Sequence, residues 1–283
     1  MKKILFKILR YSGLPLLFRE VIQRNRITIL LFHDVSPQTA EFTFQFLQKK
    51  YSLIDLDDLL NAIDYKDLIS LPKKALIITF DDGHIGNYRL FSLIKKYKIP
   101  VSIFLCAAII NTNRSFWFTY KPSEEKKGEL KKIINSERLA ILNKFGYNQE
   151  EEHETPQALT KSQIMEMKGL INFQSHTLFH PILTQCNFED AKKEIIDSKS
   201  LLETEYDLEI NAISYPNGDY SDREIEIARG GGYSCGVTVD YGFNSIETDV
   251  YKLKRISVKD TINLDELIVR SSGVWGFLKL FSK

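Results

Sequence analysis

The sequence predicts an α/β fold built around a mainly parallel sheet, on three observations. Short apolar runs alternate with segments of helical period along most of the chain. Runs such as Ala75–Phe80 carry almost no polar side chain, as strands covered on both faces require. Six or seven strand–helix units follow one another, enough to curl into a barrel. The 283 residues fit one such unit. With 43% hydrophobic and 27% charged residues the composition is globular, which excludes a mainly disordered, collagenous or coiled-coil protein. A net charge of +1 provides no overall field to attract nucleic acid.

The elements follow in order. Ile27–Phe32 reads as the first buried strand, and Phe42, Phe46 and Leu47 as the apolar stripe of the helix after it. Ser52–Asp55 is a short strand whose last residue can cap the next helix. Ala75–Phe80 ends in Asp-Asp-Gly and leads into a helix through Lys98, followed by the strand Val101–Leu105. Ile171–Gln174, Asn211–Tyr215, Ser234–Val239 and Arg255–Val258 complete the strands. Thr160 with Gln163, and Ser221 with Glu224, have capping-box spacing. Asn187 can cap a helix over Phe188–Tyr206. Residues 111–160 break the rhythm with Phe116-Trp117-Phe118, a charged helical region and the acidic run Glu150–Glu154, and read as an insertion between two βα units.

Residues 1–26 form a separate basic amphipathic segment ahead of a domain spanning 27–283. The segment carries +6, and the rest of the chain −5. Ile4, Leu5, Phe6 and Leu16–Phe18 interleave with its cations, but Arg10 and Pro15 interrupt the run, so it is too short and too charged to span a bilayer. It reads as a surface-lying membrane segment, as a helix packed on the domain, or as a signal or anchor. Cys106, Cys186 and Cys235 are odd in number and far apart, which argues against a disulfide framework or a thiolate zinc site. That usage fits a reducing compartment, and the expected location is cytoplasmic, peripheral at the inner face of the membrane.

Four strand ends carry chemistry. Thr79-Phe80-Asp81-Asp82-Gly83 places two carboxylates where an apolar strand becomes a loop, which is the functional end of a βα unit. Successive residues leaving a strand point different ways, so one carboxylate can bind a metal while the other faces a nucleophile. Ser175-His176-Thr177-Leu178-Phe179-His180 holds two of the five histidines four apart. On a helical turn that spacing aims both imidazoles at one ion. Two His and one Asp leave coordination positions open for water. Ser214-Tyr215-Pro216-Asn217-Gly218 can turn backbone N–H groups toward the same mouth. Leu31-Phe32-His33-Asp34 puts a histidine at the end of the first strand, where a general acid could enter.

Together these motifs resemble the polysaccharide deacetylase family, the NodB-homology carbohydrate esterases, from about Ile27 to about Trp275. Thr79–Gly83 looks like the family's first motif, Ser175–His180 its second, and Ser214–Gly218 its third. The resemblance implies a distorted (β/α)₇ barrel, a divalent ion that is usually zinc, and hydrolysis of an N- or O-linked acetyl group on a sugar. Asp82, His176 and His180 would then be the metal ligands and Asp81 the base. The backbone N–H of Tyr215 would bind the oxyanion. Two positions depart from the pattern. Ser214 stands where the third motif usually has arginine, and the late strand Leu253–Val258 lacks the usual histidine. The branch containing poly-N-acetylglucosamine deacetylases carries its catalytic histidine in a first strand ending Tyr/Phe-His-Asp, which implies His33 as general acid. Arg255, near the end of the late strand, is expected to replace the missing arginine as a clamp on Asp81. The implied substrate is an N-acetylated glycan or glycolipid precursor. A deformylase or other amidohydrolase on a lipid-linked acyl sugar, or a catalytically inactive glycan-binding protein, are the alternatives.

Overall fold

In the computed structural model, which describes residues 2–65, 71–120 and 128–280, one eight-stranded sheet forms the centre. Its strands are β1 (Thr28–Phe32), β2 (Ser52–Leu53), β3 (Ala75–Phe80), β4 (Val101–Leu105), β5 (Ile171–Ser175), β6 (Ala212–Ser214), β7 (Cys235–Val237) and β8 (Ile256–Ser257). All pair in parallel, in the order β7-β6-β5-β4-β3-β1-β8, with β2 beside the start of β3. The two ends meet through the segment leading into β8. Leu253 donates to Gly236 O at 3.0 Å and accepts from Thr238 N at 2.9 Å. A ring of seven strands results, with β2 outside it, and the break between Leu253 and Ile256 is its distortion.

Side-chain alternation sorts the strand residues into two layers. Ile29, Ile77, Phe104, Ala212, Val237 and Leu253 fill the interior, closed at one end by Leu56 and Leu59 of the helix Leu56–Asp64. Their neighbours Leu30, Ile78, Ile103, Phe173 and Ile213 face outward and pack on the surrounding helices. Hence both parities are apolar, and the runs look continuous in sequence.

The caps follow the sequence. Asp55, Thr160 and Ser221 each close a capping box, and Asn187 accepts from Asp190 N. Two local readings are corrected. In the helix Pro37–Lys50 the buried stripe is Ala40, Thr43, Phe44 and Leu47, while Phe42 and Phe46 lie half-buried at its border. The stretch after Gly83 begins as a 3₁₀ helix, Ile85–Leu90, and turns α-helical only over Phe91–Tyr97.

Residues 111–160 contribute no strand among the described residues. They hold the helix Asn135–Lys144 and contribute Trp117, Leu130, Leu142 and Tyr147 to an apolar cluster with Ile182 beside the barrel mouth. At the chain's start, the helix Lys2–Tyr11 lies on the late helix Leu264–Ser271 and buries Phe6 and Leu9 against Phe18, Val269 and Val274.

Candidate active site

The interior parity continues past the strand ends and assembles the site. His33 follows Ile29 and Leu31, Asp81 follows Ile77 and Thr79, Ser214 follows Ala212, and Arg255 follows Leu253. A cavity of about 730 Å³ opens there, within the range of ligand sites. His33, Asp81, Asp82, His176 and His180 line it, as do Trp117, Phe118, Lys131 and Asn217.

Asp82 leaves the strand with φ 74°, a left-handed conformation that swings its carboxylate away from that of Asp81. Its Oδ1 sits 3.5 Å from His176 Nε2 and 3.6 Å from His180 Nε2. The residues 176–180 are not a helical turn, as their spacing predicted. Thr177 and His180 are both left-handed, at φ 68° and 57°, and they fold a tight loop ahead of Pro181 that returns His180 beside His176. The ring centroids are 4.7 Å apart.

Burial, with the neighbouring Asp81 charge, pushes Asp82 up to about 8. Burial also pushes His176 down to about 4 and His180 well below the ordinary histidine range, so both rings are neutral at neutral pH. His176 Nδ1 lies 2.7 Å from Ser214 O, which makes Nδ1 the donor and leaves Nε2 a bare acceptor facing Asp82. Asp82 Oδ1 is buried without a hydrogen-bond partner. Three candidate ligand atoms within 4.8 Å of one another, one of them the unpartnered Asp82 Oδ1, fit a cation. Two ligands about 2.1 Å from a tetrahedral zinc are roughly 3.4 Å apart, close to the separations seen.

Asp81 has a different environment. Arg255 holds it in a two-pronged pair, Nη1 to Oδ1 at 2.8 Å and Nη2 to Oδ2 at 2.7 Å. Ser214 Oγ donates to Oδ2 at 3.0 Å and accepts from Arg255 Nη2 at 2.9 Å. Burial alone would raise Asp81, but the guanidinium outweighs it and holds the carboxyl far below the usual range. Two adjacent carboxylates are thus tuned in opposite directions, a pattern that assigns them different tasks. Ser214, standing where the family's third motif usually has arginine, takes part in the clamp through its hydroxyl. His33 is exposed at the mouth, and desolvation by the walls lowers its pKa against the pull of Asp81.

Tyr215 does not fit the role expected of it. Its N–H donates to Val237 O across β6 and β7 at 3.2 Å, so the sheet occupies the group meant for an oxyanion. The side chain is fully buried and stacks on Tyr220. Asn217 is the residue of that loop that lines the mouth, with Lys131 Nζ donating to its Oδ1 at 2.6 Å. Sequence reasoning also missed Glu194, whose Oε2 accepts the N–H groups of Leu178 and Phe179 at 2.9 Å each and braces the histidine loop. Nothing in its helical position marks it.

The parallel barrel gathers neutral histidines, a shielded carboxylate and a clamped, ionised carboxylate at the C-terminal ends of its strands, the face where such barrels carry their sites. The chain belongs to the polysaccharide deacetylase family, whose model matches residues 69–236. It is 28% identical over 209 residues to the poly-beta-1,6-N-acetyl-D-glucosamine N-deacetylase of Staphylococcus epidermidis, covering 70% of this chain and 59% of that protein. It spans only 52% and 59% of the length of the curated relatives it matches. Among solved structures, the Streptococcus pyogenes deacetylase PplD in complex with acetate superposes with a TM-score of 0.62 at 22% identity, over 82% of this chain and 92% of that one. IcaB from Ammonifex degensii does so with 0.62 at 19%, over 87% and 97%. These two likenesses establish the shared barrel.

Proposed function

We propose that the protein is a metal-dependent hydrolase that removes the acetyl group from an N-acetylated sugar of a polysaccharide or glycolipid precursor, with zinc the ion its ligands suit best. One observation carries this reading: Asp82, His176 and His180 converge on one point beside a second carboxylate that Arg255 keeps ionised. The name of the Staphylococcus epidermidis relative supports a polymer of N-acetylglucosamine.

Asp82, His176 and His180 would hold the ion, which when bound polarises an acyl carbonyl and lowers the pKa of water. Asp81 faces the same cavity as the base. Its Oδ1 accepts from Arg255 alone among the described residues, so a lone pair remains for the proton of the attacking water. His33 lines the cavity and can protonate the leaving nitrogen, and its lowered pKa makes its imidazolium the stronger acid. The products are acetate and an amino sugar.

Acetate release from N-acetylglucosamine oligomers by zinc-loaded protein tests the reaction. His176→Ala is expected to lose both bound zinc and turnover. Full zinc occupancy in that variant would overturn the ligand assignment, and formate release from an N-formyl sugar without acetate release would move the reading to deformylation.

The protein also docks, in this proposal, on an anionic bilayer surface through its first residues. The helix Lys2–Tyr11 is apolar on two sides. Phe6 and Leu9 are buried, while Ile4 and Ile8 are 66% and 62% exposed, continued by Leu16, Leu17 and Val21. Lys2, Lys3 and Lys7 are exposed among them. An apolar stripe flanked by cations suits a lipid interface, where each basic residue contributes about 1 kcal/mol. No helix among the described residues is long and apolar enough to cross a membrane. Wild-type protein should float with anionic liposomes at low salt and less at high salt. Ile4→Asn with Ile8→Asn leaves the packed face intact and should cut flotation several-fold. Equal flotation of that variant, or none by wild type, rejects the surface.

A further inference from the structure

The two candidate histidine ligands are oriented by different means. His176 is tied through its second ring nitrogen to Ser214 O at 2.7 Å. Such a bond is how a metal-ligating imidazole is usually held in orientation and tautomer. His180 Nδ1 is buried and finds no hydrogen-bond partner on another described residue. With that tether missing, the ring depends on whatever fixes its backbone and its faces.

Those contacts come from two places. Within the loop, Thr177 Oγ1 accepts His180 N–H at 3.1 Å. From the insertion, Trp117 Nε1 donates to His180 O at 2.7 Å, a bond that is fully buried. The next residue, Phe118, sets its ring edge-on to the His180 imidazole, with centroids 4.9 Å apart at 65°. Trp117 is itself immobilised, since the buried Arg138 guanidinium lies 4.5 Å over its ring. The left-handed backbone of His180, at φ 57°, is costly for a residue with a side chain and persists only where its surroundings enforce it. The indole bond falls on that residue's own carbonyl.

We infer that Trp117 and Phe118 are positioning residues: they hold His180 so that its Nε2 stays beside Asp82 and His176, and the insertion thereby sets the affinity of the site for its cation. This rests on the metal reading proposed above. Contacts of this outer kind typically change metal affinity about 10–100-fold.

The test is zinc affinity of chelator-stripped protein, by competition with a chromophoric chelator, beside the thermal midpoint of the same metal-free samples. Trp117→Phe removes the N–H and keeps an aromatic ring. It should weaken zinc binding by about 10-fold or more. Leu142→Ala, in the same apolar cluster, should lower the thermal midpoint and leave zinc affinity near wild type. Should Trp117→Phe not fold, Phe118→Leu at a half-buried position carries the same expectation of weakened binding. Wild-type affinity in both Trp117→Phe and Phe118→Leu, or equal weakening by Leu142→Ala, overturns the inference. If wild-type protein takes up no zinc at all, the metal reading fails first and takes this inference with it.

Discussion

Asp81→Asn is expected to lower kcat by about 10²–10⁴-fold while leaving bound metal at the wild-type level. The geometry separates this residue from its neighbour. Asp82 Oδ1 lies 3.5 and 3.6 Å from the two imidazole Nε2 atoms, whereas the nearest Asp81 oxygen is 3.9 Å from one of them and is already bonded to Arg255 and Ser214. Asparagine keeps the shape and one acceptor, so the Arg255 contact is halved rather than lost. What disappears is the ionised oxygen able to accept a proton. Metal content by atomic emission and kcat on the same preparation decide the matter. Loss of metal with Asp81→Asn would mean that the roles of the two aspartates are reversed.

Much of this arrangement was legible because barrel chemistry obeys strand parity. Ala75–Phe80 is buried along its whole length, and the apolar residues of such runs fixed both the strand and its polarity. The first residues past the inward-facing strand positions are then the ones that reach the mouth, which is how strand ends pointed to Asp81, while the roles of His33 and Arg255 came from the resemblance to the family's motifs. One misreading traces to backbone conformation. Asp82, Thr177 and His180 are left-handed without being glycine, and no composition signal marks that conformation. A four-residue spacing therefore looked helical when it was a loop. Tyr215 failed for a related reason, since a backbone N–H at a strand end can be aimed at a ligand or spent in the sheet, and only register decides. The insertion was recognised by its broken rhythm, but the bond from Trp117 to a residue 63 positions later follows from tertiary packing that no local pattern encodes.

Arg255→Ala is expected to destabilise the fold by about 3–5 kcal/mol, the usual cost of stranding one partner of a buried ion pair. Arg255 is 1% exposed. All five of its N–H donors are engaged: Nε with Thr238 O, Nη1 with Asp81 Oδ1 and Thr79 Oγ1, and Nη2 with Asp81 Oδ2 and Ser214 Oγ. The pH dependence identifies the mechanism. In the wild type the Asp81 pKa is depressed below its unfolded value, so its contribution is present at neutral pH and is lost only in strong acid. Without the guanidinium, burial dominates and the Asp81 pKa rises. The folded state then holds a proton the unfolded chain has released, and stability falls as pH rises through the new value. The gap between wild type and variant should therefore widen from pH 5 to pH 8 in urea unfolding of chelator-treated protein. Activity should fall together with the ionised fraction of Asp81. Arg255→Lys retains the charge without the planar fork and should lie between the two. Adding Asp81→Asn to Arg255→Ala removes the stranded charge, so the double variant should be more stable than the sum of the single losses predicts. A gap that does not change with pH, or a double variant that is simply additive, would show that Arg255 supports the barrel by packing and not by holding Asp81 ionised.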